Sequence, residues 1–163
     1  MPRRFWLFKS EPTEFSIDDL ARSPKQTTCW DGVRNYQARN LLRDDMQVGD
    51  GVLFYHSSTD PMAIVGLCEI TRAGYPDHTQ FDPKSPHFDP KAKAAEPRWF
   101  MVDIRLVATL ARPMPLEELR AKKGLEKMVL LQRGSRLSVQ PVTAAAWRVI
   151  TGRLAGSRSE GRD

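Results

Sequence analysis

Along this chain, short apolar runs that read as strands outnumber the stretches that read as helices. Phe5-Trp6-Leu7-Phe8-Lys9 predicts a strand, rich in aromatics and bounded by Pro2 and Pro12. Val48-Gly49-Asp50-Gly51 is a turn signal leading into a second strand, Val52-Leu53-Phe54-Tyr55-His56. Ala63 to Ile70 reads as a third, apolar enough to be buried on both faces, and Trp99 to Thr109 as a long fourth. Leu137 to Val142 alternates like a short strand near its proline. Four helices fit between and after these: one capped by Ser16, one capped by Asn35 and running through Leu41-Leu42, one opened by Pro115, and one capped by Thr143. The Pro115 helix carries Leu116, Leu119 and Lys123 along one side and stops near Gly124; the last carries Trp147 and Ile150. Residues 74–97 hold Gly74, Pro76, Pro83, Pro86, Pro90 and Pro97, which cut them too finely for a helix or a central strand. The pattern predicts an α+β fold: a mixed, mostly antiparallel sheet curled into a barrel, with short peripheral helices. One domain is expected over residues 1–152, with a disordered tail over 153–163 too polar to fold.

Composition narrows the setting. A chain of 163 residues is the length of one domain, and no apolar run approaches the roughly 20 residues that span a bilayer. The first apolar run is shorter than the about 7 to 15 residues of a secretory signal. Residence in the cytoplasm is therefore expected: bacterial cytosol or nucleoid, or the nucleus of a eukaryotic cell. Cys29 and Cys68 are far apart, lack metal-type spacing and are expected as reduced thiols. Net charge is +5, but residues 1–97 sum to −2 and residues 98–163 to +7. Gathered on one face, that second excess would draw in a polyanion.

Chemistry concentrates in Cys29-Trp30-Asp31-Gly32-Val33-Arg34-Asn35-Tyr36-Gln37-Ala38-Arg39-Asn40. Two large aromatics, side-chain amides and two arginines surround a glycine, a combination too polar for core. Planar rings beside amides and guanidinium groups suit a nucleobase, which stacks on aromatic faces and is read along its edge. A tight turn at Asp31-Gly32 followed by a polar-faced helix gives the same string. Lys9-Ser10-Glu11-Pro12, Phe54-Tyr55-His56-Ser57 and Arg133-Gly134-Ser135-Arg136-Leu137-Ser138-Val139-Gln140-Pro141 supply matching polar rims. Two catalytic alternatives stay open. Asp77, His78, Asp82, His87 and Asp89 form a plausible oxygen–nitrogen metal set for a nuclease or hydrolase, although Asp82 and Asp89 each precede a proline. Cys29 could meet His56 as nucleophile and base, without a signature for a third group. Phosphate-binding glycine loops and dinucleotide fingerprints are absent from the sequence.

Taken together, Trp6-Leu7-Phe8-Lys9-Ser10-Glu11-Pro12, the block from Trp30 to Asn40, Phe54-Tyr55-His56-Ser57, Pro97-Arg98-Trp99 and Arg136 to Val142 resemble the EVE domain family over about residues 4–151. The resemblance implies a PUA-like barrel, akin to the YTH, ASCH and SRA domains, that binds nucleic acid without catalysis, cofactor or metal. It implies recognition of DNA bearing 5-methylcytosine or 5-hydroxymethylcytosine, with modified or unpaired bases in RNA as the alternative, by a monomer. On this reading a flipped base lies between Trp30 and Tyr55, near Tyr36. Asn35 and Gln140 read its edge, and Ser10, Ser57 and Ser138 add hydroxyls. His56 or Ser10 meets a hydroxymethyl group. Lys9 sits at the pocket rim, and Arg34, Arg39, Arg133 and Arg136 hold flanking phosphates.

Overall fold

The computed structural model describes residues 3–134 and 136–152. The expected disordered tail lies outside the described residues. Among the described residues six strands form one sheet: β1 (Phe5–Ser10), β2 (Thr27–Cys29), β3 (Gly51–His56), β4 (Ala63–Pro76), β5 (Phe100–Pro115) and β6 (Val139–Val142), in the order β2-β5-β4-β3-β1-β6. Among the described residues only β1 and β3 pair in parallel; the remaining neighbours are antiparallel. The barrel expected from the sequence is not closed. Its two edge strands, β2 and β6, are only three and four residues long and do not pair with each other. Instead, repeated register shifts along the long β4–β5 ribbon bend an open sheet, as bulges do by adding residues to one strand.

Helices α1 (Ile17–Arg22), α2 (Tyr36–Asn40) and α3 (Leu116–Ala121) start where local signals placed them, although α3 ends before the Lys123 and Gly124 expected to close it. Ser16 accepts from the Asp19 amide while Asp19 accepts from the Ser16 amide, a complete capping box. Asn35 accepts from the Ala38 amide at 3.0 Å and starts α2, which continues into a π-turn over Leu41–Asp45. Helical backbone also covers 144–152, where Thr143 Oγ1 accepts from the Ala146 amide. Among the described residues no helix is long and apolar enough to cross a membrane.

The sheet separates two apolar clusters, and period-two alternation assigns residues to each. Trp6, Phe8, Val52 and Phe54 point into the first, with Ile17, Leu20 and Trp30. Leu7, Leu53 and Tyr55 point into the second, with Leu119, Trp147 and Ile150. Gly51 permits this second closure. A Cβ there would lie 2.6 Å from the Trp147 ring, which stacks on Phe5 at 4.4 Å.

Candidate functional site

A cleft of about 750 Å³ opens at the end of β1, floored by Trp30. Its wall comes from Ser10, Glu11, Glu14 and Phe15 on one side, from Thr28 to Arg34 on another, and from Pro86, His87 and Ser138 at the rim. Trp30 is only 9% exposed, packing against Phe8 at 5.2 Å and edge-on to Phe54 at 5.5 Å. Its ring still lines the cleft. The Trp6 and Trp99 indoles donate to Asp50 and Asp89, whereas the Trp30 indole has no hydrogen-bond acceptor among the described residues.

The loop over the cleft is held by a buried carboxylate. Asp77 is fully buried and accepts from the Gly32 amide at 2.8 Å, Arg34 Nη1 at 3.0 Å, the Thr79 amide at 2.8 Å and the Thr79 hydroxyl at 2.5 Å. Burial pushes its pKa up, but the bonds from Thr79, Gly32 and Arg34 outweigh this and hold it below the ordinary carboxylate range. Gly32 takes φ +83°, and a Cβ there would lie 2.7 Å from His87 Nε2. Arg34 also donates to the His87 carbonyl at 2.7 Å and to Thr79 Oγ1 at 3.1 Å.

From Arg34 a stack runs away from the cleft. Its guanidinium lies 5.3 Å from the Trp99 ring, Tyr36 stacks on Trp99 at 4.8 Å, and Arg39 lies 4.9 Å over Tyr36. The proline-rich segment behind this stack is ordered by Gln80, which is fully buried and has both ends of its amide occupied. Its Nε2 donates to the Asp77 and Trp99 carbonyls, and its Oε1 accepts from the Arg98 and Trp99 amides.

The predicted site residues therefore divide. Lys9, Ser10, Trp30, Arg34 and Ser138 line the cleft. Burial pushes the Lys9 ammonium pKa down. Tyr55 does not wall the cleft: it follows Phe54 on β3, so alternation turns it into the second cluster, 2% exposed. Asn35 and Gln140 do not line the cleft as edge readers either. The Asn35 carbonyl caps α2, and the buried Gln140 amide donates to the Leu137 carbonyl at 2.9 Å. Tyr36, 52% exposed, belongs to the outer stack. His56 Nε2 accepts from the Ile17 amide at 3.1 Å, and burial lowers its pKa. The Ser57 amide donates to the Ser10 carbonyl outside the cleft lining.

Among the expected phosphate contacts, Arg34 is committed to Asp77 and Arg39 donates to the Arg98 carbonyl at 2.8 Å. Arg133 and Arg136 are exposed. The catalytic alternatives lose their geometry. Asp77 is spent on the loop, and no group of three or more His, Cys, Asp or Glu among the described residues could hold a metal ion. Cys29 lines the cleft without His56, and burial, with Asp31 adding to it, raises its thiol pKa and disfavours the thiolate. Glu14, Phe15 and Thr28 were missed as cleft residues. Glu11, in the rim block from Lys9 to Pro12, and Cys29, Asp31, Gly32 and Val33, in the block from Cys29 to Asn40, lay in legible stretches without being assigned to the pocket.

Known proteins share this fold. Human thymocyte nuclear protein 1 is 49% identical over 155 residues, covering 85% of this chain and 68% of that protein. A structure from Leishmania major superposes with a TM-score of 0.88 at 46% identity, covering 96% of this chain and 98% of the other. The human THYN1 protein in complex with 5-methylcytosine-containing DNA superposes with a TM-score of 0.86 at 44% identity, covering 91% and 96%. The EVE domain model matches residues 4–153, and the chain belongs to the EVE domain family.

Proposed function

We propose that this chain binds DNA carrying a 5-methyl- or 5-hydroxymethyl-type cytosine and holds the extruded base over Trp30 without altering it. The observation that carries the reading is the 44% identical human relative, seen with 5-methylcytosine-containing DNA on the same fold. The cleft supports it in size, since sites for small planar ligands run from about 300 to 1,000 Å³. Stacking on an aromatic contributes on the order of 1–3 kcal/mol, comparable to the few kcal/mol needed to extrude a base. A methyl slot adds roughly 10- to 200-fold selectivity at best. Most of the affinity must therefore come from stacking and from phosphate contacts, for which Lys9 in the cleft lining and the exposed Arg133 and Arg136 supply cations.

The test is titration of the protein with matched duplexes carrying cytosine, 5-methylcytosine or 5-hydroxymethylcytosine at fixed salt. Tighter binding of a modified duplex is expected. Equal affinity for all three, or a preference for RNA irrespective of modification, overturns the reading.

A further inference from the structure

Thymine carries the same methyl group as 5-methylcytosine and stacks equally well, so neither Trp30 nor a methyl slot separates the two. They differ along the polar edge, where cytosine presents an amine and thymine a carbonyl. The cleft has an uneven supply of partners for that edge. Ser10 Oγ is spent on the Phe15 carbonyl, and Arg34 on Asp77 and the His87 carbonyl. The carboxylates of Glu11, Glu14 and Asp31 line the cleft with no hydrogen-bond or ion-pair partner among the described residues. Carboxylates accept and do not donate. The donors left to complement them are the Trp30 indole N–H, without an acceptor in a residue nine-tenths buried, the Lys9 ammonium and the Ser138 hydroxyl.

Of the three acids, Asp31 is the best placed. Its neighbours are fixed on both sides: the Trp30 amide donates to the Val102 carbonyl at 2.8 Å, and the Gly32 amide to Asp77 at 2.8 Å. Its charge also reaches the cleft lining, where it adds to the burial that raises the Cys29 thiol. Glu11 and Glu14, exposed as Asp31 is, are longer side chains carried on a turn.

Resting on the base-binding reading above, we propose that Asp31 determines specificity by accepting a hydrogen bond from the exocyclic amine of a cytosine-type base. A thymine placed in the same way sets its O4 carbonyl against the Asp31 carboxylate in place of an amine, so the hydrogen bond is lost and two acceptors face each other. Discrimination by an edge contact of this kind is worth about 10- to 100-fold.

The experiment measures fluorescence anisotropy with duplexes that present 5-methylcytosine or thymine opposite an abasic site, which makes extrusion equally easy for both. The unmodified protein is expected to favour 5-methylcytosine by about 10- to 100-fold. Asp31→Asn, whose amide can donate as well as accept, is expected to bring the ratio near unity by strengthening thymine binding. Asp31→Ala is expected to weaken 5-methylcytosine without gaining thymine, and Glu11→Gln and Glu14→Gln to leave the ratio within about twofold. Equal binding of the two bases by the unmodified protein overturns the proposal. So does an unchanged ratio in Asp31→Asn, or a collapse in Glu11→Gln instead. Absence of binding to every oligonucleotide sinks the base-binding reading itself, a separate result. Asp31 is exposed and makes no hydrogen bond through its side chain among the described residues, so circular dichroism should show all these variants folded.

Discussion

Phe54 and Tyr55 are neighbours on β3, both buried, yet they belong to regions with opposite fates. On the Tyr55 side, Trp147 and Ile150 from the helical stretch 144–152 help close the cluster, and Trp147 comes down onto Gly51. On the Phe54 side, the covering loop stops short, and the last ring it supplies, Trp30, keeps one boundary open. Burial alone does not mark the difference. Helices α1 and α2 pack Ile17, Leu20 and Ala38 onto the first cluster, and the cleft lies where its cover passes instead to a loop held through a polar hub.

The strongest way to break this contrast is to truncate one ring on each side. Trp30→Ala and Tyr55→Ala should each cost about 3–5 kcal/mol of stability, because both remove a packed aromatic. Urea unfolding measures that. Only Trp30→Ala should lower nucleic-acid affinity of the folded fraction, by at least about tenfold. If Tyr55→Ala lowers it equally, the two regions are not distinct.

Asp77→Ala removes the hub and leaves Arg34 without its buried partner, a change expected to cost about 3–5 kcal/mol. The hub also predicts acid sensitivity. Asp77 titrates below its unfolded value, so its contribution is complete above the ordinary carboxylate pKa of about 3.9 and is lost as pH falls through the lower folded value. Thermal unfolding followed downward from neutral pH should show that loss, and Asp77→Asn should flatten it. Gly32→Ala is a milder probe. It forces a side chain into left-handed backbone, costing about 1–2 kcal/mol, and pushes on His87 at the rim. Smallest of all, Tyr55→Phe should change stability by no more than about 0.5 kcal/mol and binding not at all, since the hydroxyl has no hydrogen-bond partner among the described residues.

Local signals were legible in the sequence: Ser16 and Asn35 as caps, the turn at Val48 to Gly51, the apolar run that became β4. Facing was not. Periodicity places Phe54 and Tyr55 on opposite sides, but only the three-dimensional cover says that both sides are interior. Asn35 and Gln140 carry amides fit for a base edge, and those same groups satisfy nearby backbone that no composition argument can see. Asp77 and His87 drew attention as metal ligands because carboxylates and imidazoles cluster there. The partners that claim Asp77, Gly32 and Arg34, lie some 45 residues earlier in the chain. Closure of the sheet was misjudged for a similar reason, since it turns on the shortness of β2 and β6 and not on any residue type.

The four bonds of Gln80 make the segment after β4 a strut more than a tether. Its two ends differ as engineering sites. The stretch near Lys91 to Glu96, closed on itself by a single isolated bridge, should accept an inserted tag or dye with little effect on the rest of the molecule. An insertion near Thr79 or Gln80 would be transmitted through Asp77 to the mouth of the cleft some distance away, so that a graft there acts as a mutation of the binding surface itself.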